Sequence, residues 1–479
     1  MSGPPPTDIP PGTVEQRYQP DVPNFMRLGS VPVNYLQEVE TDLLEPVVFQ
    51  EGSGSTVDGF VRFQLQRKGF LHSHSKIFVS LTPPTAVTRA IYPPNVGVGS
   101  VIKKAVLKVG NKVLNEISDW DHLHAFHSTK ISNENNVERE LYTTGRYMSE
   151  QFDRSTGTGV GFVAQGVSLM THREPDVTLS SGDQDCDQMP FAVMDGGSPA
   201  ESPSYAIDLS DLFPFLKVHQ LPLYMMDEPV TIELTTRPPV GHRAVKIAGT
   251  ADQSFVIDRP EMKFCADYVF YGASDEMDRF AAAHKSLTFP FVDYRSISTT
   301  VSQASLQSET VRNLGMASRM VTKVITMFNG DRSGEGNILL NLGALSPAIS
   351  SGQPAGFSYN IRYNDKFEFS SNITNLARLY TLLQGSESMV FVSRDQYSSQ
   401  GGGYEGAAGH TFEGINQTEL RGRFFYNSTR LTGGRVGTRG IELHVKSDEH
   451  RTSVTTLRNY CEYLRSATLE GGKIDVFNL

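Results

Sequence analysis

Three features of this sequence predict a mostly β fold divided into two or three domains. Short segments in which apolar and polar residues alternate recur along the chain, and a period of two indicates half-buried strands. Long stretches rich in Gly, Ser, Asp and Pro separate these segments, and the chain contains 42 glycines and 26 prolines. Its 479 residues exceed what one hydrophobic core usually serves, so more than one core is expected.

The first two dozen residues form a separate zone. They contain seven prolines: Pro4, Pro5, Pro6, Pro10, Pro11, Pro20 and Pro23. Proline cannot donate a backbone hydrogen bond, so this density favours an extended, polyproline-like arm over a strand or helix. Two interpretations remain open, a frayed terminus and an arm that docks on a neighbouring subunit. For residues 1–24 we expect a contribution to assembly and little to subunit folding.

From about residue 45 onward, alternation predicts a series of strands. The clearest segments are Val61 to Gln66, Ile77 to Leu81, Val230 to Thr235, Met262 to Tyr268, Val321 to Met327 and Ile441 to Val445. Val109-Gly110-Asn111-Lys112 predicts a tight hairpin, because glycine and asparagine tolerate positive φ. Long loops are expected at 153–203, 330–356 and 394–415.

Helical signals are few. The segment from Ser274 to His284 predicts a helix near the middle of the chain, since Ser274 can cap its first turn and Met277 and Phe280 share one face. A second short helix is predicted from Asp119 to His127. Trp120, the single tryptophan, is expected to be buried.

Charge and cysteine content narrow the functional classes. The net charge is −10 and the pI is about 5.7, whereas a protein that coats DNA presents positive charge to the phosphates. Direct genome binding is therefore not expected. The three cysteines are too scattered for a disulfide framework or a zinc site, which favours a reducing compartment: Cys186, Cys265 and Cys461.

Targeting signals are weak. The N-terminus lacks the apolar run of a secretion signal, and no uncharged apolar stretch of about 18 residues predicts a membrane span. The glycosylation triplets at Asn372, Asn416 and Asn427 are accordingly interpreted as chance matches.

Several segments have part of a ligand-binding pattern. Asp183, Asp185 and Asp187 are spaced as at the start of a calcium loop, but Met194 stands where that loop needs glutamate, so a solvated acidic loop is favoured. The glycine run at 157–161 lacks the Gly-Lys-Ser/Thr of a phosphate-binding loop, and the chain has no Gly-x-Ser-x-Gly nucleophile motif.

Histidines gather in two places, namely His72 with His74, and His122, His124 and His127 beside Asp119 and Asp121. Their spacing is too loose for one metal-ligand set on either a strand or a helix, so packed or surface histidines are favoured. We therefore predict no catalytic, cofactor-binding or metal-binding residue.

A basic stretch lies near the C-terminus. It comprises Arg421, Arg423, Arg430, Arg435, Arg439, Lys446, Arg451, Arg458 and Arg465, against only four acidic residues. Charges on strands alternate between faces, so they need not form one patch. A solvated face or ion pairs between subunits is favoured over contact with DNA.

Four passages resemble the double jelly-roll major capsid proteins of double-stranded DNA viruses, and they occur in similar order. They are residues 101–120, with a strand–Gly hairpin–strand–Trp pattern; residues 213–234, with Phe-Pro-Phe-Leu, Leu-Pro-Leu-Tyr and Val-Thr-Ile-Glu-Leu; residues 267–284, with Asp-Tyr-Val-Phe and the helix; and residues 457–478. The resemblance covers most of the chain. Polinton-like viruses, virophages and nucleocytoplasmic large DNA viruses all contain such proteins.

This resemblance implies two consecutive eight-stranded jelly-roll β-sandwiches with long loops and a short linking helix. The expected division is an N-terminal arm and lead-in segment at 1–44, a first roll at 45–271, the linking helix at 272–287 and a second roll at 288–479. It further implies a major capsid protein, not an enzyme, that forms pseudo-hexameric homotrimers tiling an icosahedral shell. Expected partners are neighbouring capsomers, a penton protein and minor or cement proteins, in a virion capsid assembled in the host cytoplasm or nucleus.

Two other functional classes share these strands and loops. A carbohydrate- or receptor-binding β-sandwich would need an exposed aromatic platform, which a single buried tryptophan supplies poorly. A β-rich hydrolase would need paired carboxylates, which sequence alone does not locate.

Overall fold

The computed structural model describes twenty segments of the chain, which are residues 37–54, 56–82, 90–91, 97–130, 143–144, 152–155, 161–164, 205–239, 246–247, 256–257, 262–271, 274–302, 310–330, 349–350, 353–354, 358–374, 376–387, 426–431, 434–446 and 454–479. The proline-rich arm and most of the three long loops lie outside these segments.

The strands before the central helix are β1 (Gln37–Leu44), β2 (Val48–Gln50), β3 (Gly59–Gln64), β4 (Phe70–Leu71), β5 (Lys76–Val79), β6 (Leu81–Thr82), β7 (Ala90–Ile91), β8 (Ile102–Val109), β9 (Lys112–Ser118), β10 (Phe152–Ser155), β11 (Gly161–Ala164), β12 (Tyr205–Asp208), β13 (Leu221–Pro222), β14 (Val230–Thr236), β15 (Lys246–Ile247), β16 (Val256–Ile257) and β17 (Lys263–Tyr271).

The strands after the central helix are β18 (Ser286–Ser302), β19 (Thr310–Gly315), β20 (Val321–Gly330), β21 (Ile349–Ser350), β22 (Gln353–Pro354), β23 (Ser358–Tyr363), β24 (Lys366–Phe367), β25 (Tyr426–Arg430), β26 (Ile441–Lys446), β27 (Val454–Glu470) and β28 (Lys473–Asn478).

The described helices are α1 (Trp120–Lys130), α2 (Leu209–Leu212), α3 (Pro214–Val218), α4 (Ser274–Ala283) and α5 (Leu376–Ser386), with 3₁₀ turns at Gly97–Val101 and Leu223–Met225. Both helices expected from the sequence are confirmed, as α1 and α4. Asp119, with φ of 50°, immediately precedes α1, so this helix begins at Trp120.

The first half of the chain folds into two facing antiparallel sheets. One runs β1-β17-β5-β12 and the other β3-β14-β8-β9. The short strands β4 and β13 extend the first sheet, and β2 extends the second. Eight strands connected in this order form a jelly roll, which we call the first roll.

The second half repeats this order. One sheet runs β18-β27-β20-β25 and the other β19-β26-β23-β24, with β28 added beside β27. We call this unit the second roll. The expectation of two consecutive eight-stranded jelly rolls is confirmed, and α4 lies between them in the chain.

The alternation expected for the strands is confirmed by burial. Val61, Phe63 and Leu65 are buried, while Gln64 and Gln66 are exposed. Because successive side chains of a strand point to opposite faces, burial of every second side chain shows that one face of the strand lies in the sandwich core.

Two details differ from the sequence expectation. Of the two turn residues after β8, only Gly110 has positive φ, at 55°. The alternation in β20 predicts that Val321 and Lys323 lie on the same face as Ile325 and Met327. A register shift in the pairing with β27 falls between Val321 and Lys323 and interrupts this pattern. Val324 and Thr326 are also fully buried, so β20 is covered on both faces.

Strand β1 lies within the segment expected to precede the first roll. Residues Gln37 to Leu44 pair with β17 along their whole length, so pairing starts eight residues before residue 45. Among the described residues, no helix is long and apolar enough to cross a membrane.

Candidate functional site

The candidate functional site is the buried interface between the two rolls, where the apolar core and two clusters of buried charges meet. The core is continuous across both rolls. On the first roll the interface is formed by β9, α1 and α3, and on the second roll by β18, β27 and β28.

Helix α1 is anchored by Trp120. Its indole is buried, its Nε1–H donates to the carbonyl oxygen of Asp211 at 3.1 Å, and the His124 ring stacks on it at 4.6 Å. The expected burial of Trp120 is confirmed. A buried indole cannot form part of an exposed sugar-binding platform.

An ion-pair cluster lies where β14 ends beside α1. The Arg237 guanidinium donates to both carboxylate oxygens of Asp121, at 2.6 and 2.8 Å, and reaches Asp119 at 3.5 Å. Burial alone would raise the pKa of Asp121, but Arg237 and His122 outweigh it and hold that pKa well below its usual range. Burial, followed by the nearby charge of Arg458, lowers the pKa of His122 to about 4.

Among the described residues, this cluster contains the only group of three side chains that could together bind a metal ion. They are Asp119, Asp121 and His122, and their ligand atoms lie within 4.8 Å of one another. Arg237 forms ion pairs with both carboxylates. His122 Nδ1 lies 2.9 Å from Asp121. The arrangement is a buried salt bridge extended by a histidine.

The other two histidines of that segment lie elsewhere. His124 stacks on the indole, and the His127 ring lies 5.8 Å from Tyr294 of the second roll. His72 and His74 have ring centroids 5.3 Å apart, and His74 lies 3.7 Å from Asp208 at an exposed position. The structure therefore does not bring the sequence's histidines into one cluster.

A second polar centre crosses directly from one roll to the other. Asn115 of β9 donates to Asp293 of β18 at 3.1 Å, while its own side-chain oxygen accepts the backbone N–H of Phe215 at 2.9 Å. Arg465 of β27 binds Asp293 at 2.8 Å and donates to the carbonyl oxygen of Leu114 at 2.7 Å. One buried amide and one guanidinium thus connect both rolls.

The electrostatics of this centre differ from those of the first cluster. Burial raises the pKa of Asp293, and Arg465 and Asn115 offset this effect only in part. The carboxylate depends on these two partners, because a buried charge without them is strongly unfavourable.

Aromatic packing and backbone contacts complete the interface. The Phe215 ring of α3 lies 5.2 Å from Phe291, and His219 Nε2 lies 2.7 Å from the carbonyl oxygen of Pro290. Further contacts across the interface join Tyr460 Oη to the carbonyl oxygen of Asp119 at 2.6 Å, the Asp227 N–H to the carbonyl oxygen of Gly472 at 2.8 Å, and Lys112 to Asp475 at 3.1 Å.

A third charged centre lies inside the second roll, next to α5. Lys323 Nζ is 3.2 Å from both Glu387 and Glu462, and Tyr294 donates to Glu462 at 2.5 Å. Burial would lower the pKa of Lys323, but the two carboxylates outweigh it and raise that pKa. These paired carboxylates are buried and share one cation, which fits an ion pair that fastens the sheet rather than an acid and a base open to substrate.

The C-terminal basic stretch does not form one patch. Arg465 is inside the interface, Arg439 binds Asp365 at 2.6 Å on the surface, and Arg430 and Arg435 are exposed. Arg421, Arg423 and Arg451 lie outside the described residues, as do Asp183, Asp185, Asp187 and residues 157–160. Of the three glycosylation triplets, Asn427 is fully buried, Asn372 is exposed, and Asn416 is outside the described residues.

Sequence reasoning missed the central residues of these charged clusters, above all Arg237 and Asp293 at the interface and Lys323 inside the second roll. Each is a single charge within or directly after an apolar strand, as in the run from Phe289 to Tyr294. An isolated charge at such a position indicates a buried partner, since unpaired charges are rarely buried. This signal was available, although it does not identify the partner.

No protein-family model matches the sequence, and neither does any curated protein. Among solved structures, the chain is similar to the faustovirus major capsid protein, with a TM-score of 0.51 and 8% identity over 92% of this chain and 93% of that one. It also matches the PBCV-1 virus capsid model, with a TM-score of 0.49 and 12% identity over 94% and 98%, and the mavirus major capsid protein, with a TM-score of 0.46 and 10% identity over 91% and 90%. The likeness to the faustovirus protein spans both rolls and shows a shared fold, so the expected double jelly-roll architecture is confirmed.

Proposed function

We propose that this chain is the major capsid protein of an icosahedral virus and has a structural, non-catalytic role. The observation that carries the proposal is that one chain contains two jelly rolls of identical strand order, locked together by a buried interface. Three such chains supply six similar units, which suit a hexagonal lattice. The faustovirus protein that shares this fold is itself a major capsid protein.

The interface explains how such a chain would serve as a rigid building unit. Two domains joined by a small polar contact normally move relative to each other. Here Asn115 and Asp293 are buried, Arg465 binds Asp293, and Phe215 packs on Phe291 of β18. A fixed angle between the rolls is what lets repeated copies meet edge to edge.

The domain division follows the same proposal. Because β1 begins at Gln37 and β18 at Ser286, we place the end of the arm before Gln37, the first roll up to residue 271, the link at 272–285 and the second roll at 286–479. The proposed partners are further copies of this chain, a penton protein and minor or cement proteins. The proposed location is the virion capsid, assembled in the host cytoplasm or nucleus, and the acidic net charge of −10 argues against a direct role in genome binding.

The test is the oligomeric state of the purified full chain. A shell subunit should be a homotrimer by light scattering at low micromolar concentration, because obligate interfaces bury on the order of 2,000–5,000 Å². The trimer should persist in about 0.5 M salt, where exposed ion pairs are screened. Electron microscopy should show hexagonal trimers or shells. If the protein is strictly monomeric under all these conditions, the proposal is wrong.

A further inference from the structure

A row of polar side chains crosses the core of the second roll. Asn427 of β25 and Asn459 of β27 lie directly opposite Thr326 of β20, one on each side, so the three side chains point to the same face of the sheet. All three are fully buried, and we call them the polar row. From the facing sheet, the Tyr359 hydroxyl lies 3.2 Å from that of Thr429, which is also buried. Five polar side chains thus meet inside the sandwich, where apolar residues are the rule.

The amide oxygens of the polar row are paired. Asn459 Oδ1 accepts the Thr326 hydroxyl at 3.0 Å. Asn427 Oδ1 accepts the backbone N–H of Ser428 at 2.9 Å. This second bond fixes the orientation of the Asn427 amide, because a flipped amide would place its Nδ2 donor against another donor.

The amide nitrogens of the polar row are not paired in the same way. Among the described residues, neither Asn427 Nδ2 nor Asn459 Nδ2 has an acceptor in hydrogen-bond geometry. Asn360, buried in the same roll, differs, because its Nδ2 donates to the carbonyl oxygen of Phe369 at 3.1 Å and to the Asn372 side chain at 2.8 Å. Buried polar groups in folded proteins nearly all have a partner in the protein or in ordered water. The two amides therefore need an acceptor that the described side chains do not supply.

We propose that the second roll binds internal water between its two sheets, and that Asn427 Nδ2 and Asn459 Nδ2 each donate to a water molecule. A buried water makes about three hydrogen bonds, so it must donate as well as accept. The oxygens of Tyr359 and Thr429 offer lone pairs for this purpose. Burial raises the pKa of Tyr359 to about 12, so the phenol stays neutral. An anion could accept from the amides, but the polar row and these two hydroxyls carry no positive charge to compensate it.

This water site accounts for the position of β25. The central residues of that strand, Asn427, Ser428 and Thr429, are all buried although none is apolar. A strand without an apolar pattern has a weakly specified register, so polar contacts set it here. Ser428 donates to Glu387 at 2.8 Å on one face, and Asn427 with its water lies on the other. A shift by one residue would exchange the two faces and separate both side chains from their partners.

The direct test is a crystal structure of the purified full chain at a resolution that shows ordered waters. Density for water should lie about 2.7–3.2 Å from Asn427 Nδ2 and from Asn459 Nδ2. Asn360 Nδ2 is the internal control, since both of its hydrogens already have acceptors, and no water should bind it. Replacing chloride with bromide identifies an anion, because bromide gives an anomalous signal and water does not. Ordered asparagines without adjoining density, or a bromide peak at the site, overturn the proposal.

Hydrogen exchange in solution tests what the site does for β25. Asn427→Leu with Asn459→Leu removes both donors and should speed exchange of the β25 amides by about tenfold or more relative to those of β26. Leu457→Ala, a core change in the strand that carries Asn459, is the matched control and should not single out β25. If β25 exchanges no faster than β26 in the double variant, the polar row does not fix its register. The crystallographic test uses the wild type, so it decides the water site even if the double variant fails to fold.

Discussion

The two rolls share one order of strands, yet they contribute different chemical groups to the interface between them. The first roll offers three backbone carbonyls, those of Val113, Leu114 and Asp119, beside the side chains of Asn115 and His219. The second roll offers the side chains that bind these carbonyls, Arg465 and Tyr460. At these three carbonyls, a side-chain substitution in the first roll leaves the hydrogen-bond acceptors in place, whereas a substitution in the second roll removes the donors.

The geometry of β9 accounts for this difference. It is the outer strand of its sheet, so its outward carbonyls have no neighbouring strand to bind. A register shift against β8 leaves Leu114 unpaired between Val113 and Asn115. Such a bulge turns backbone groups away from the ladder, and the Leu114 carbonyl accepts its hydrogen bond from the second roll.

The largest expected effect tests this asymmetry directly. Arg465→Met removes the cation beside Asp293 and leaves two carbonyls without their donor, so unfolding should become easier by about 3–5 kcal/mol. Val113→Thr is the matched change on the other side, where only the backbone participates, and it should cost about 1 kcal/mol or less. Urea denaturation measures both. Similar losses for the two variants would show that the sides are not unequal.

A slightly smaller effect concerns pH. The pKa of His122 is about 4 in the fold, against about 6.5 when unfolded, so the unfolded chain binds the extra proton first. Stability should therefore be complete above about pH 6.5 and should fall by about 3 kcal/mol as the pH drops to 4. His122→Gln should flatten this dependence. Since Arg458 of the second roll helps to lower the pKa, Arg458→Gln should flatten it in part, and an unchanged slope in that variant would deny the coupling between rolls.

A third substitution probes the backbone contact at the C-terminal hairpin. At Gly472, with φ of 77°, a Cβ atom would lie 2.1 Å from Asp227 of the first roll. Gly471 has φ of 55°, and a Cβ there would have no heavy atom within 4 Å. Both alanine variants adopt a strained backbone worth about 1 kcal/mol, and Gly472→Ala should lose about 1 kcal/mol more. Equal denaturation midpoints would mean that the hairpin does not press on the first roll.

The smallest effect on stability is expected for the arm. A chain that starts at Phe25 should keep its melting temperature, because residues 1–24 carry many prolines and no apolar pattern. Its assembly, followed by electron microscopy, should be poorer than that of the full chain. A clear drop in melting temperature would instead make the arm part of the first roll.

Local signals explain what the sequence could predict. The alternation around Phe63, the turn at Gly110 and the helix that begins at Ser274 each depend on neighbours a few residues away. The ion pairs do not. Arg237 and Asp121 are 116 residues apart, and Arg465 and Asp293 are 172 apart. Such pairs follow from which sheet edges meet, and no short stretch of sequence encodes that.

Lys323 shows a second limit. The alternation of apolar and polar residues from Val321 to Met327 predicts that Lys323 lies on an apolar face. In the structure a register shift precedes Lys323, and its side chain pairs with Glu387 and Glu462. Bulges of this kind add one residue to one strand only, so the sequence of that strand keeps its pattern while the pairing changes. The partner Glu387 follows α5 and becomes adjacent only through the fold.

The position of Arg465 and Tyr460 near the C-terminus has a consequence during protein synthesis. Arg465 emerges 351 residues after Leu114, whose carbonyl it binds, and at 5–20 residues per second this is a delay of roughly 18–70 s. The first roll is complete once residue 271 has emerged, so for roughly the last half of this delay Phe215 and the β9 carbonyls that bind the second roll face solvent. Nascent chains that emerge close together would therefore expose the same unpaired groups to one another, and a chaperone that shields α3 and β9 until β27 has emerged would raise the yield of native subunits.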